Sequence, residues 1–436
     1  MPLVQRFLAL ILIVPLLTNC LGERAASAEP APRINCRSPH QLEMNLAPVG
    51  AGPLTLAQIY CQIGPSHSAE GMQVAPDGNS LAYYDYYTLL RAARLDAANA
   101  WTNYRAGLGP FVTFSANIRS ARAFTWHTSS RFLWAATYDT VRPSGFATGP
   151  MRPVRAAEDG SLQPLPELRH DAGPLDALLW AGGDGLAAAQ FGSRGGLYRP
   201  EHDDPTPTFA LVDAQRGLVL DGLPFETIPT LRGRPRGAAA YARVDNAAAA
   251  VLPDGRVRVL LSVGSWVVWT QGEMPRILPD PYLGELSPRM VLSPDGSRVL
   301  VSRLHRTNGG YCIEPRGCFP GRPVAGVLAA LHDLETGREL WTIRATATND
   351  YEFPMPAISQ DGRYALVGLM PERTNVRIAL VSMDDGKVVQ TIPVPGGIYV
   401  TGSYGAYAMG FARDGRTVWT SALGLTALYD LAPARR

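Results

Sequence analysis

One short pattern recurs along the chain and constrains its fold more than any other feature. It is clearest in Met290–Leu300, where an apolar segment, the turn Ser-Pro-Asp-Gly and a second apolar segment follow one another. Pro294 fixes φ near the value that a turn needs, Asp295 can accept hydrogen bonds from the backbone after it, and Gly296 tolerates the positive φ that closes a hairpin. The segment therefore predicts a tight β-hairpin.

Related segments occur at seven places along the chain. They are Met72–Tyr83, Ala123–Trp134, Asp176–Ala189, Ala248–Leu260, Met290–Leu300, Pro356–Val367 and Met409–Thr420. In the second of them, Thr128–Arg131 replaces the Pro-Asp-Gly turn. A supersecondary unit that recurs in this way predicts a repeat architecture, in which each unit buries its apolar faces against its neighbours.

Most of these hairpins are followed by a second hairpin with a different turn. Examples are Arg152–Leu165, Phe209–Leu223, Val327–Arg344 and Val376–Ile392. Two hairpins per unit and seven units predict an all-β fold, a seven-bladed β-propeller of four-stranded antiparallel blades. The last repeat has only one further strand, Leu425–Leu431, so we expect Leu54–Ile63 to complete it. Pairing of the N- and C-terminal strands would close the ring and leave no open edge.

The repeats also resemble a known group. The turn Ser-Pro-Asp-Gly-x-x-Leu/Val, followed later by Asp-x-x-x-Gly-x-x-x-Trp/Val, is similar to the WD-like propeller repeats of bacterial envelope proteins, the TolB-like group. The similarity covers nearly all of the chain after its N-terminal segment. It implies a β-propeller fold and gives no particular activity.

The N-terminus has the features of a secretory signal peptide. Arg6 precedes the apolar run Phe7–Leu17, which is too short to span a bilayer, and Ala26-Ser27-Ala28 fits the small-residue pattern that signal peptidase recognises. We therefore predict a signal peptide over residues 1–28, a tether over 29–53 and the propeller over 54–436. We therefore expect an exported protein, periplasmic or secreted, whose mature chain has no transmembrane span.

A second interpretation of the N-terminus also fits the residues. Leu17-Thr18-Asn19-Cys20 resembles a lipobox, although Asn19 stands where Gly, Ala or Ser is usual. In that case the mature protein would be a lipoprotein anchored at Cys20. The Ala-, Ser- and Pro-containing segment Ala25–Pro32 could serve as a tether in either case.

Four further cysteines suit an oxidising compartment. Cys312 and Cys318 flank a short loop and are expected to pair with each other, which leaves Cys36 and Cys61 as the second disulfide. Free thiols or a four-cysteine metal site are the alternatives. No Cys-x-x-Cys pair supports a metal site.

The insertions in the repeats suggest where a partner binds. Long connections fall mostly on one rim of the expected ring, at Asp139–Gly149, Gly192–Pro207, Leu223–Ala240, His305–Val324 and Met370–Asn375. Charged and aromatic residues stand near the start of the innermost strands, at the same mouth. These candidate ligand-binding residues are Glu70, Arg122, Asp176, Asp245, Arg289, Glu352 and Tyr407. An ordinary solvated rim is the alternative interpretation.

No catalytic pattern accompanies this rim. His202-Asp203-Asp204 is a compact His and carboxylate cluster, but a solvated charged turn explains it better than a metal site, and no cofactor is expected. The net charge of +2 gives no basic field for nucleic acid. We therefore expect an exported, non-catalytic binding or scaffold module that takes a protein partner or a polar ligand. The alternative is a periplasmic propeller enzyme or enzyme subunit, either a lyase or similar to the large subunit of a quinone-dependent amine dehydrogenase.

Overall fold

The computed structural model describes the chain in nineteen segments, all within one compact unit, Asn35–Arg436. They are residues 46–61, 73–76, 80–85, 89–94, 112–115, 124–141, 147–157, 162–192, 207–231, 247–282, 289–302, 311–313, 317–319, 327–344, 355–372, 375–394, 407–412, 414–422 and 425–433. Among them, no helix is long and apolar enough to cross a membrane.

The described residues form β-strands and one short 3-10 helix, Phe225–Thr227. The strands are β1 (Leu54–Cys61), β2 (Gln73–Val74), β3 (Ser80–Asp85), β4 (Leu89–Arg94), β5 (Val112–Ser115), β6 (Thr125–Trp126), β7 (Phe132–Val141), β8 (Ala147–Ala157), β9 (Leu162–Pro164), β10 (Leu175–Ala181), β11 (Leu186–Phe191), β12 (Thr208–Asp213), β13 (Leu218–Pro224), β14 (Ala247–Val251), β15 (Val257–Ser262), β16 (Trp266–Thr270), β17 (Arg276–Leu278), β18 (Arg289–Leu292), β19 (Arg298–Ser302), β20 (Tyr311–Ile313), β21 (Gly317–Phe319), β22 (Val327–Asp333), β23 (Glu339–Arg344), β24 (Ala357–Ile358), β25 (Tyr364–Glu372), β26 (Asn375–Ser382), β27 (Val388–Pro393), β28 (Tyr407–Phe411), β29 (Thr417–Ala422) and β30 (Leu425–Leu431).

All strands except β20 and β21 belong to four-stranded antiparallel sheets. Six sheets are each made by one stretch of chain, in the orders β2-β3-β4-β5, β6-β7-β8-β9, β10-β11-β12-β13, β14-β15-β16-β17, β18-β19-β22-β23 and β24-β25-β26-β27. A further sheet has the order β1-β30-β29-β28 and so combines the two ends of the described chain. We call it the terminal sheet.

The architecture confirms the prediction of an all-β propeller built from four-stranded antiparallel blades. The predicted count of seven blades is not confirmed, because the fold contains six blades that are each complete within one stretch of chain. The difference has a topological cause. The last hairpin, β28–β29, is followed by β30 alone, so its sheet reaches four strands only by taking β1 from the other end.

The innermost strands of the four-stranded sheets are β2, β6, β10, β14, β18, β24 and β28. Contacts run in succession from β10 to β14, β18, β24 and β28, and β28 in turn contacts β2. On the other side, β2 contacts β6, and β10 contacts the neighbouring strands β7 and β8. Apolar residues from adjacent sheets form shared clusters between them, as Phe209 and Leu211 do with Val257 and Trp269. Each sheet therefore buries its faces against its neighbours, as a propeller requires.

Strand β1 pairs antiparallel with β30 along its whole length, from Leu54 opposite Leu431 to Cys61 opposite Leu425. This confirms the expected pairing of the N- and C-terminal strands. The residues just before β1, 46–53, are also attached to the sheets. Val49 exchanges backbone hydrogen bonds with Thr391 in β27, and the buried Tyr429 hydroxyl donates to the carbonyl of Leu46 at 3.1 Å. We call residues 46–53 the N-terminal strap.

The turns behave as their residues predict. Gly296 has φ +67°, and its N–H donates to the Ser293 carbonyl at 2.8 Å. Burial alone would raise the pKa of Asp295, but hydrogen bonds from Ser293 and Ser297 hold it below its ordinary value. The degenerate second repeat keeps this geometry, because Ser130 takes φ +60° where the other turns have glycine.

Tryptophan side chains fasten one sheet to the next. The indole N–H of Trp126 donates to the carbonyl of Gln73 at 3.2 Å, and that of Trp134 donates to the carbonyl of Gly182 at 2.9 Å. Trp341 donates likewise to Met383 at 3.0 Å. In each case the acceptor belongs to a neighbouring sheet or its turn. Tryptophans at these positions therefore link neighbouring sheets through hydrogen bonds.

Candidate functional site

The two rims of the propeller differ in their connections. On one rim, which we call the turn rim, the innermost strand of every four-stranded sheet leads into the next strand through four or five residues. The opposite rim, the loop rim, carries residues 192–207, 225–246, 303–326, 345–356 and 394–406 between strands. The turn rim also has one long connection, residues 95–111. Long connections therefore concentrate on the loop rim. Two of the predicted insertions are wrong, however, because strands extend into Asp139–Gly149 and Met370–Asn375 and leave connections of only residues 142–146 and 373–374.

Three of the seven candidate ligand-binding residues stand at the beginnings of innermost strands, at the loop rim. Arg289 and Tyr407 are the first residues of β18 and β28, and Asp176 is the second residue of β10. The other four, Glu70, Arg122, Asp245 and Glu352, lie outside the described residues. The assignment of these seven residues to one ligand-binding site remains a prediction.

Asp176 and Arg289 have different environments. Asp176 is half-buried, and one of its carboxylate oxygens accepts a hydrogen bond from the amide of Gln190 at 3.1 Å. Arg289 is only 9% exposed and lies opposite the buried Ser302 in the β18–β19 pair. A side chain this buried presents little surface to a docking partner. Asp176 is therefore the better-placed of the two at the loop rim.

The scattered histidines do not converge on a metal in the part of the chain that the structure describes. No group of three His, Cys, Asp or Glu side chains there could hold an ion, and His202-Asp203-Asp204 lies outside it. His332, a residue of β22, is instead packed in the core against Trp266 of β16 and Tyr282. Its Nε2 lies 2.6 Å from the Tyr282 hydroxyl, and the Trp266 ring meets it edge-on.

Two of the predicted disulfide residues face each other across a small ribbon. Strands β20 and β21 are the two strands of a separate sheet within the connection 303–326, and their register pairs Cys312 with Cys318. Directly opposed residues of antiparallel strands have Cα atoms about 4.5–5.5 Å apart, which is within the range that a disulfide spans. Cys61 is the last residue of β1, and Cys36 lies outside the described residues.

A concave feature that no sequence pattern predicts lies on the turn rim. It is a cavity of about 330 Å³ where the first strands of three successive sheets end. Its lining includes Trp180, Gly182, Asp184, Ala250, Val251 and Pro294. A pocket formed by three turns that are far apart in sequence can be found only once the sheets are arranged in space.

No protein-family model matches the chain, and no curated protein matches it. The resemblance to WD-like repeats is therefore supported at the level of the β-propeller fold.

Proposed function

We propose that this protein is an exported, non-catalytic β-propeller that presents its loop rim to a protein partner or a polar ligand. The observation that carries the proposal is the concentration of long connections on one rim of a ring whose opposite turns are nearly all four or five residues long. Long loops on a rigid scaffold are where binding residues are usually found.

The proposal includes a ring of seven blades, with the terminal sheet as the seventh. The contacts of β28 with both β24 and β2 support this, because they place the terminal sheet between the last and the first of the other six. A ring with a missing blade would leave two apolar sheet faces open to water. On this basis we propose a WD-like propeller that resembles the TolB-like group of bacterial envelope proteins.

The proposed compartment follows from the N-terminal sequence and the cysteines. A signal peptide over residues 1–28 would deliver the chain to the periplasm or the medium, and a lipid anchor at Cys20 is the alternative. Disulfides Cys312–Cys318 and Cys36–Cys61 suit that compartment. The opposed register of Cys312 and Cys318 supports the first of these pairings.

The test compares two loop deletions of similar size on opposite rims. In one variant, residues 193–206 of the loop rim are replaced by Asn-Gly, a pair that closes two-residue hairpins. In the control, residues 97–109 of the turn rim are replaced in the same way. Each tagged protein is cross-linked in the native envelope, and the captured partners are identified by mass spectrometry.

We expect the loop-rim deletion to lose partners that the full chain and the control both capture. Both variants should melt close to the full chain, because surface loops contribute little to stability. Loss of capture with the turn-rim deletion alone would mean that the rims are assigned wrongly. Co-purification of a small cysteine-rich quinone subunit with the full chain would favour the amine dehydrogenase alternative instead.

A further inference from the structure

The turn-rim cavity has a chemical character of its own, distinct from the loop rim. Its walls are mainly apolar: the Trp180 indole is half-buried, and Val251 is 42% exposed at the edge. A volume of about 330 Å³ is at the small end of the range of roughly 300–1,000 Å³ that ligand pockets cover. The cavity therefore suits a compact ligand with an apolar body.

The backbone of the cavity is fixed from two sides. The carbonyl of Gly182 accepts the indole N–H of Trp134 from the neighbouring sheet at 2.9 Å, and its N–H donates to Leu186 at 2.7 Å. A Cβ at Gly182 would come within 2.6 Å of the Trp180 ring, so the indole lies directly against this bare Cα. The backbone against which the Trp180 ring packs is therefore held by hydrogen bonds in both directions.

One negative charge stands at this apolar wall. The Asp184 carboxylate is exposed, and it makes no hydrogen bond or ion pair with any residue that the structure describes. The guanidinium of Arg258, beside the neighbouring turn, is directed elsewhere, to the carbonyl of Gly296 and the hydroxyl of Thr270. No cation of the described chain neutralises Asp184.

We propose that this cavity binds a small organic cation with an apolar body, such as a substituted ammonium ion. The face of the indole attracts a cation through its quadrupole, the carboxylate of Asp184 adds a full opposite charge, and Val251 and Pro294 cover the alkyl groups. A neutral ligand of the same shape would keep only the apolar contacts. This site is independent of the proposed partner at the loop rim.

The experiment uses choline and its neutral isostere 3,3-dimethylbutan-1-ol as probes of the full chain, with affinities measured by ligand-observed NMR. We expect choline to bind at least about tenfold more tightly than the alcohol, a difference of about 1.4 kcal/mol. Asp184→Asn should remove this preference, and Trp180→Leu should weaken choline further. Asp384→Asn is the matched control, because Asp384 is an exposed turn aspartate on the same rim outside the cavity.

Thermal melts show whether each variant is folded, and Asp184→Asn answers the question even if Trp180→Leu does not fold. Equal affinity for the two probes would overturn the proposal, since the cavity would then recognise apolar shape alone. An unchanged preference in Asp184→Asn, an equal loss in Asp384→Asn, or no binding of choline would also overturn it.

Discussion

The side-chain amide of Gln390 bonds both backbone polar groups of Leu54, a residue 336 positions away along the chain. Its Oε1 accepts the Leu54 N–H at 2.8 Å, and its Nε2 donates to the Leu54 carbonyl at 3.1 Å and to that of Gly50 at 3.2 Å. Gln390 is 5% exposed. One side chain in β27 thus binds the start of β1 and the N-terminal strap. It supplies the same pattern of hydrogen-bond donor and acceptor that the backbone of a neighbouring strand would supply.

Replacing this glutamine should destabilise the junction between β27 and the terminal sheet. In Gln390→Leu, the backbone groups of Leu54 lose their partner in a buried position, and each unsatisfied buried group costs about 1–3 kcal/mol. We expect the free energy of unfolding to fall by about 2 kcal/mol or more, measured by urea denaturation. Gln163→Leu is the matched control, since Gln163 is exposed on another outer strand, β9. Equal losses in both variants would contradict this role for Gln390.

Substitutions of two turn glycines distinguish the energetic cost of backbone strain from the cost of a steric clash. Gly255 has φ +84° and nothing within 4 Å of a Cβ, whereas Gly386 has φ +70° and a Cβ there would lie 2.8 Å from the Trp341 ring. Gly255→Ala should cost only the left-handed backbone penalty, about 1–2 kcal/mol. Gly386→Ala should cost about 1 kcal/mol more, because the displaced indole loses its hydrogen bond to Met383. Chemical denaturation of both variants measures the difference, and equal losses would contradict the expectation.

His332 should make stability depend on pH. Burial lowers the pKa of His332 below its ordinary value, and the Glu339 carboxylate opposes this shift only in part. As the pH falls below about 6.5, the unfolded chain takes up a proton at this residue before the folded protein does. The folded state therefore loses stability from about pH 6.5 downward until the pH reaches the lower pKa of the folded state.

The measurement is the free energy of unfolding between pH 7 and pH 5. In His332→Gln this pH dependence should be smaller than in the unsubstituted protein, whatever the stability of the variant at pH 7. His127→Gln, in the turn after β6, serves as the control substitution. An unchanged slope in His332→Gln would show that other groups cause the pH dependence.

The cysteine ribbon gives a prediction with a chemical readout. Protein prepared in an oxidising compartment should contain a peptide pair that links Cys312 to Cys318 and separates on reduction. Cys312→Ser with Cys318→Ser should change the unfolding midpoint little, because β20 and β21 lie outside the four-stranded sheets. Two free thiols at these positions in the denatured protein would contradict the pairing.

Local chemistry explains why much of the fold is predictable from sequence. A turn such as Ser293–Gly296 is stabilised by its own residues, so Pro294, Asp295 and Gly296 are sufficient to place the hairpin. The pairing of β1 with β30 also follows, because an incomplete last sheet leaves an edge that must be covered. Both inferences depend on interactions whose partners are visible in the sequence pattern.

The remaining features depend on contacts between residues that are far apart in sequence. In the sequence, Gln390 is an ordinary polar residue of a predicted strand, and only the arrangement of the sheets brings it close to Leu54. Arg289 is of a residue type that is common at binding sites, yet its position opposite Ser302 buries it. Asp184 and Val251 share a cavity because two turns from different sheets meet. No local pattern encodes any of these three outcomes.

The composition of the terminal sheet has a consequence for the order of events during synthesis. Strand β1 is made before every other described strand, but its partner β30 is made after all of them. Until the ribosome has completed Leu431, β1 has no strand to pair with, and its apolar residues Leu54 and Ile59 have no sheet to cover them. A chain truncated before β30 would therefore keep an unpaired, apolar strand at its N-terminal end. Chaperones and proteases could recognise such a strand and so distinguish incomplete chains from complete ones.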